Sequence, residues 1–265
     1  MDLQRVLDET FVASVEHHEV IGSTNDRARQ CVEEALALPR LVVADRQTAG
    51  RGRGANRWWT GEGALAMSLV LPAEVIADDA TRSSLISLAA GVAVVETVRS
   101  WLGQCGGMSG TSGQPGNVLG LHWPNDVVLE GRKLAGILIE ALPGREHIIG
   151  IGINTNNSAR DASEDLRTKV VTLFDVTGQR CDHIDLIDRL VKRIEAWLVR
   201  LQSDAEEVAR RADELCLQKG RTLTIRMGTE QITGRCRGID HSGALLIETT
   251  DGLHACRSGT VSSDE

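Results

Sequence analysis

What the chain lacks narrows its class before any motif is read. It holds no apolar run approaching the roughly 18 residues of a membrane span. Residues 1–10 carry acidic side chains and no apolar segment, so they do not read as a signal peptide. Its six cysteines, Cys31, Cys105, Cys181, Cys216, Cys236 and Cys256, include no C-x-x-C pair. That scatter suits neither a zinc site nor a disulfide framework and predicts free thiols in a reducing cytoplasm. Positive charge is not in excess either. The formal net charge of -8 argues against sequence-independent nucleic-acid binding, which needs a basic face, but leaves room for a local basic pocket. Neither the G-x-x-x-x-G-K-[ST] phosphate loop nor the glycine spacing of a dinucleotide fold is present. No Ser/His/Asp arrangement stands out, and there are no internal repeats.

What is present reads as a globular chain of 265 residues, long enough for one sizeable domain and a small one beside it. Ser23 or Thr24 can cap a helix that Pro39 stops. Residues 41–44 and 64–71 read as buried strands, and 80–102 as a long helix with one buried face. Residues 103–120 are rich in Gly and Ser and read as an insertion. Short strands follow at 121–123, 127–129, 134–140 and 148–153, with a hairpin turn at Glu130-Gly131-Arg132. Helices are expected at 184–201 and 205–217. From Lys219 the pattern changes to four short strands separated by turns, a small barrel-like appendix that is expected to pack on the main domain. The domains are therefore 1–218 and 219–265.

Four polar clusters stand at strand ends or helix starts, where ligand sites gather. The first, Gly22-Ser23-Thr24-Asn25, fits a plain helix cap, and it also fits a reader of a neutral polar group such as a urea. The second is Gln47-Thr48-Ala49-Gly50-Arg51-Gly52-Arg53-Gly54, followed by Trp58-Trp59. Glycine permits close backbone approach and arginine offers five fixed donors to carboxylate or phosphate. Alone, this loop fits both a mobile surface turn and an anion clamp. The third is Trp123-Pro124-Asn125-Asp126 with Lys133, a lysine opening a buried strand that therefore needs a paired anion. Gly136 in that strand leaves room for a ligand or another backbone. In the fourth, Gly150-Ile151-Gly152-Ile153-Asn154, alternate glycines make a flat floor.

In this order the four clusters resemble the biotin–protein ligases (biotin–[acetyl-CoA-carboxylase] ligases), and residues 237–245 resemble that family's small C-terminal domain. The resemblance implies an α+β fold: a mixed β-sheet flanked by helices, like a class II synthetase, with a small SH3-like β-barrel at its end. It implies ATP and biotin as substrates with Mg²⁺ assisting, formation of biotinyl-5'-AMP, and transfer of biotin to a lysine of a biotin carboxyl carrier domain. Lys133 and Arg53 would be catalytic. Biotin would meet Ser23, Thr24, Asn25, Gln47, Gly50, Arg51, Gly52, Arg53, Lys133, Gly136, Gly150 and Gly152. The nucleotide would meet Arg53, Trp58, Asn125, Lys133 and Asn154, with Arg51 and Arg53 closing over the adenylate, and Asp126 is the carboxylate placed to meet a metal ion. The three glycines predict a loop that orders only around its ligand.

Two departures weaken the phosphate end. His122 stands where the family usually has a lysine, and Gly54, Ala55 and Asn56 replace its further basic positions, leaving Arg57. Two other readings remain open: a lipoate or octanoate ligase of the same fold, although the Arg-Arg, glycine run and histidine of those proteins are missing, and a biotin-binding protein without catalysis. A DNA-binding repressor would need a winged helix-turn-helix ahead of Ser23, and 22 residues are too few. The expectation is thus a cytoplasmic enzyme that binds neither DNA nor membrane, with a homodimer left open.

Overall fold

The computed structural model describes residues 1–75, 82–106 and 118–263. A seven-stranded sheet forms the larger layer, in the order β1 (Ser14–Ile21), β2 (Arg40–Gln47), β3 (Leu65–Leu71), β7 (His147–Ile153), β6 (Arg132–Ala141), β5 (Asp126–Leu129) and β4 (Leu119–His122). β1 runs parallel to β2, and every other neighbouring pair is antiparallel. The sheet is therefore mixed, as expected. Helices cover both faces. On one side α3 (Arg82–Gln104), α6 (His183–Ser203) and α7 (Ala205–Glu214) build the main core with the preceding α1 (Gln4–Glu9). On the other, α2 (Thr24–Glu33) packs Ala28 and Cys31 on Val42, Val70 and Ile148.

This double cover explains why β2, β3 and β7 read as continuous apolar runs rather than alternating ones. Leu41, Val43, Leu69 and Ile149 face the main core, while their neighbours Val42, Val70 and Ile148 face α2. It also corrects the expectation about long apolar segments. Within α3, Ser84–Gln104 contains an 18-residue window of mean hydropathy 1.5, long and apolar enough to cross a membrane by length and composition, but 72% of that window is buried in this fold. It is the core helix.

Other boundaries moved for local reasons. α2 ends at Glu33, short of Pro39, because Ala35 turns left-handed with φ 54°. β1 went unrecognised because Glu16, His17, His18 and Glu19 break any apolar alternation. So did two short helices beyond β7, α4 (Glu164–Arg167) and α5 (Leu173–Thr177). The expected cap forms at Ser23, which accepts from Asp26 N–H, and Asp182 and Asp204 open α6 and α7 in the same way. Most of the expected 103–120 insertion, residues 107–117, lies outside the described residues.

The C-terminal region forms a second, fully antiparallel sheet, ordered β11 (Gly252–Cys256), β10 (Leu245–Thr249), β9 (Glu230–Ile239), β8 (Thr222–Met227) and β12 (Thr260–Ser263), one strand more than the pattern predicts. Trp123 fastens it to the large sheet. Its buried indole N–H donates to Gly243 O at 3.0 Å, and its backbone N–H donates to Gln218 Oε1 at 2.6 Å. Trp123→Phe keeps an aromatic ring but removes the donor and part of the buried bicycle, leaving the Gly243 carbonyl unpaired. It should cost about 1–2 kcal/mol of stability in denaturant unfolding; an unchanged midpoint would show that this contact holds nothing together.

Candidate active site

One cleft of about 750 Å³ opens on the face of the large sheet beside α2, and most of the singled-out polar residues line it. Its floor follows from strand register. Gly136 on β6 lies opposite Gly152 on β7, and Gly150, two residues along, shares that face. No side chain fits there. A Cβ on Gly136 would come 3.1 Å from the Trp58 ring and 3.3 Å from Lys133 Nζ, one on Gly152 would overlap the Trp58 indole, and one on Gly150 would overlap the Asn25 amide.

A buried polar wall stands at one end of this floor. Ser68, a hydroxyl within the otherwise apolar β3, has Oγ 2.8 Å from Thr24 Oγ1 and 2.7 Å from Asn25 Oδ1. Thr24 N–H donates to Gln47 Oε1 at 2.7 Å, and Gln47 Nε2 donates to Thr60 Oγ1 at 3.3 Å. One proton arrangement satisfies every member: Thr24 donates its hydroxyl proton to Ser68, and Ser68 donates its own to Asn25. Asn25 Nδ2 then donates to Glu140 Oε2 at 2.7 Å. Ser23, Thr24 and Asn25 are held at the cleft with fixed orientations. Ser68, Thr60 and Glu140 escaped the sequence reading, although a serine in a fully buried run such as Leu65–Leu71 demands a partner and was a usable signal.

Lys133 sits at the centre. Its ammonium is 2.7 Å from Asp126 Oδ1 and 5.6 Å from the Trp58 ring centroid, so the expected anion partner is Asp126. Asn125 is aimed by the sheet edge. Its Nδ2 donates to Ile137 O at 2.9 Å, which turns its Oδ1 towards Arg53, 3.4 Å away. Arg53 also donates to Gly259 O at 3.3 Å, across to the C-terminal sheet.

The cleft brings together Ser23, Thr24, Asn25, Gln47, Arg51, Gly52, Arg53, Trp58, Asn125, Asp126, Lys133, Gly136, Gly150 and Gly152. Four of the expected site residues have contacts of their own in the structure. Asn154 is not on the cleft wall. It is 1% exposed, and its amide meets Lys133 O and Asn157, so it supports the strand beneath the lysine. Gly50 does not line the cleft either. A Cβ there would press on Trp58 O at 2.7 Å, and its own carbonyl accepts from Trp58 N–H, so the residue closes the loop. Trp58, expected on the nucleotide side, lies on Gly136 and Gly152, the floor expected to serve biotin. Arg51, expected to close over the adenylate, is bound to Asp26 at 2.7 Å and Glu140 at 3.0 Å.

The loop folds back on itself. Arg51 and Arg57 form an antiparallel bridge, and Gly52 N–H donates to Asn56 O at 2.9 Å. Its far wall is also unexpected. Arg226, Met227 and Gly228 with residues 258–261 line the cleft from the C-terminal sheet, and their turns carried no sequence signal beyond ordinary turn residues.

A nucleotide's Mg²⁺ would find one carboxylate here, Asp126, already paired with Lys133. Among the described residues no group of three His, Cys, Asp or Glu side chains could hold an ion. That donor set fits an ion carried mainly by phosphate oxygens.

The fold and the cleft find parallels among known proteins. Residues 18–156 match the biotin/lipoate A/B protein ligase family, and residues 220–263 match the biotin protein ligase C-terminal domain. The biotin–[acetyl-CoA-carboxylase] ligase of Paracoccus denitrificans is 30% identical over 245 residues, spanning 90% of this chain and 96% of the relative. The bifunctional ligase/repressor BirA of Bacillus subtilis is 28% identical over 254 residues, spanning 92% and 72%. The biotin protein ligase of Aquifex aeolicus in complex with biotin and ATP superposes with a TM-score of 0.78 at 28% identity, spanning 94% and 97%.

His122 lies at the edge of the cleft, where burial pushes its pKa below the usual value, Asp126 opposes that shift, and Arg221 and Lys133 add to it. The ring is therefore neutral at pH 7 and brings no cation. Protons bind the unfolded chain better below about pH 6.5, so stability should fall as pH drops through that range. Between pH 7.5 and 5.5 the denaturation midpoint of His122→Gln should fall less than that of the unsubstituted protein; equal losses would mean that another group titrates.

Proposed function

The chain belongs to the biotin/lipoate A/B protein ligase family, and on that premise we propose how it works as a biotin–protein ligase, an ATP-dependent enzyme that activates biotin and joins it to protein. The observation that carries the mechanism is the convergence on Lys133 of the glycine floor and polar wall from one side, and of Asn125 and Arg53 from the other.

In the first step a biotin carboxylate oxygen attacks the α-phosphorus of ATP. The bond from that phosphorus to the oxygen bridging the β-phosphate breaks, and pyrophosphate leaves with the electron pair. Two anions must meet, so fixed cations lower the barrier. Lys133 supplies one at the junction, held in place by Asp126, and Arg53 supplies another, aimed by Asn125. Mg²⁺ would add charge neutralisation on the phosphate oxygens, with Asp126 within its reach. Thr24, Asn25 and Gln47 suit a ureido group, which both donates and accepts, and Gly136, Gly150 and Gly152 leave the room in which Trp58 and Asn25 line its pocket. In the second step an unprotonated lysine amine attacks the acyl carbon of the mixed anhydride, forming the amide and releasing AMP.

The acceptor is expected to be the biotin carboxyl carrier domain of a carboxylase. The six free thiols support a reducing, cytoplasmic setting.

Pyrophosphate release should require biotin and ATP together; release with lipoate and not with biotin would overturn the reading. Lys133→Ala should fold yet slow adenylate formation by roughly 10²–10³-fold, and turnover at the wild-type rate would remove Lys133 from its assigned role.

A further inference from the structure

The wall that the C-terminal sheet adds to the cleft brings a cation that no motif predicts. Arg226, one residue before the end of β8, lines the cleft and is exposed to it. It pairs across the strands with Thr260 and Gln231, and among the described residues it has no ion-pair partner. Of the cleft's other cations two are committed to carboxylates, while Arg57 also has no ion-pair partner among the described residues. Arg51 is held by Asp26 and Glu140, and Lys133 by Asp126. Arg53 reaches two neutral acceptors, Asn125 Oδ1 and Gly259 O, and the loop beyond it offers only Gly54, Ala55 and Asn56 before Arg57.

A triphosphate is multiply charged, and the protein that must bind it is itself at -8. An unpaired guanidinium on the cleft wall is the group such a ligand would recruit. Placement agrees. Arg53 donates to the carbonyl of Gly259, and the next residue, Thr260, is the strand partner of Arg226. Both arginines thus meet the short backbone segment formed by Gly259 and Thr260.

We propose that Arg226 contacts the nucleotide in the adenylation step and, with Arg53, holds its triphosphate, so that the C-terminal sheet completes the phosphate site of this chain. The proposal rests on the ligase reading above. It gives a physical reason why the basic positions missing from the arginine loop need not disable adenylation: the charge comes from another strand.

The test compares wild type, Arg226→Ala, Arg226→Lys and, as a control outside the cleft, Arg237→Ala. Direct binding of ATP and of adenosine is measured by calorimetry, and biotin-dependent pyrophosphate release gives KM and kcat. Arg226→Ala should bind ATP roughly tenfold or more weakly, with a matching rise in the ATP KM. Its affinities for adenosine and for biotin should be unchanged. Arg226→Lys should recover part of the loss, and Arg237→Ala should match wild type. Unchanged ATP affinity in a folded Arg226→Ala protein overturns the proposal. So does a defect confined to transfer onto a carrier domain, which would assign Arg226 to the protein acceptor. If wild type released no pyrophosphate with biotin, the ligase reading would fail, while the ATP and adenosine measurements would still decide the role of Arg226.

Discussion

A single hydroxyl, buried in the middle of an apolar strand, sets the geometry on which the cleft depends. Ser68 cannot reach water, so its oxygen must be paired within the protein, and Thr24 and Asn25 are what it meets. That demand fixes the start of α2 against β3. Gln47 is then drawn to Thr24, and Glu140 to Asn25. Glu140 in turn binds Arg29 and Arg51, so the network runs from the core of the sheet to the arginine loop. A partly satisfied version would be worse than an apolar core, because each unpaired group would carry its full desolvation cost. The polar wall is therefore rigid for the same reason that it is buried.

Much of this architecture was legible in the sequence, and what was missed has a physical pattern. β3, β7, α6 and α7 announced themselves because each buries a whole face, and burial writes period into sequence. β1 did not, because it lies at the sheet edge, where Glu16 serves as an acceptor for Arg27 and Arg40 rather than as packing. The Lys133–Asp126 pair could be anticipated in kind, since a lysine opening a buried strand needs an anion. Its partner could not be named without the register that sets β5 beside β6.

The misplaced site residues share a cause. Gly50 and Asn154 stand in motifs whose neighbours do line the cleft, and sequence proximity does not tell which of two adjacent residues faces in; Arg51 and Trp58 do line it, but in contacts that no motif names. Gly50 closes a turn, Asn154 supports a strand, and Arg51 secures the loop to α2 and β6. The converse error is Arg226, which lines the cleft from more than 90 residues beyond Lys133. No local pattern can reveal a wall built by a different sheet.

The tie between Trp123 and Gly243 also imposes a timetable on the newborn chain. The two residues are separated by 120 positions, so the indole emerges from the ribosome well before its acceptor exists. At roughly 5–20 residues per second that interval is about 6–24 s. Through it the large sheet can collapse around α3, but one rim of the cleft and the acceptor for Arg53 on Gly259 are still unmade. The pocket is finished from the far end of the polypeptide. A half-translated chain could hold a floor and a polar wall, yet no complete chamber in which a reactive anhydride could be kept.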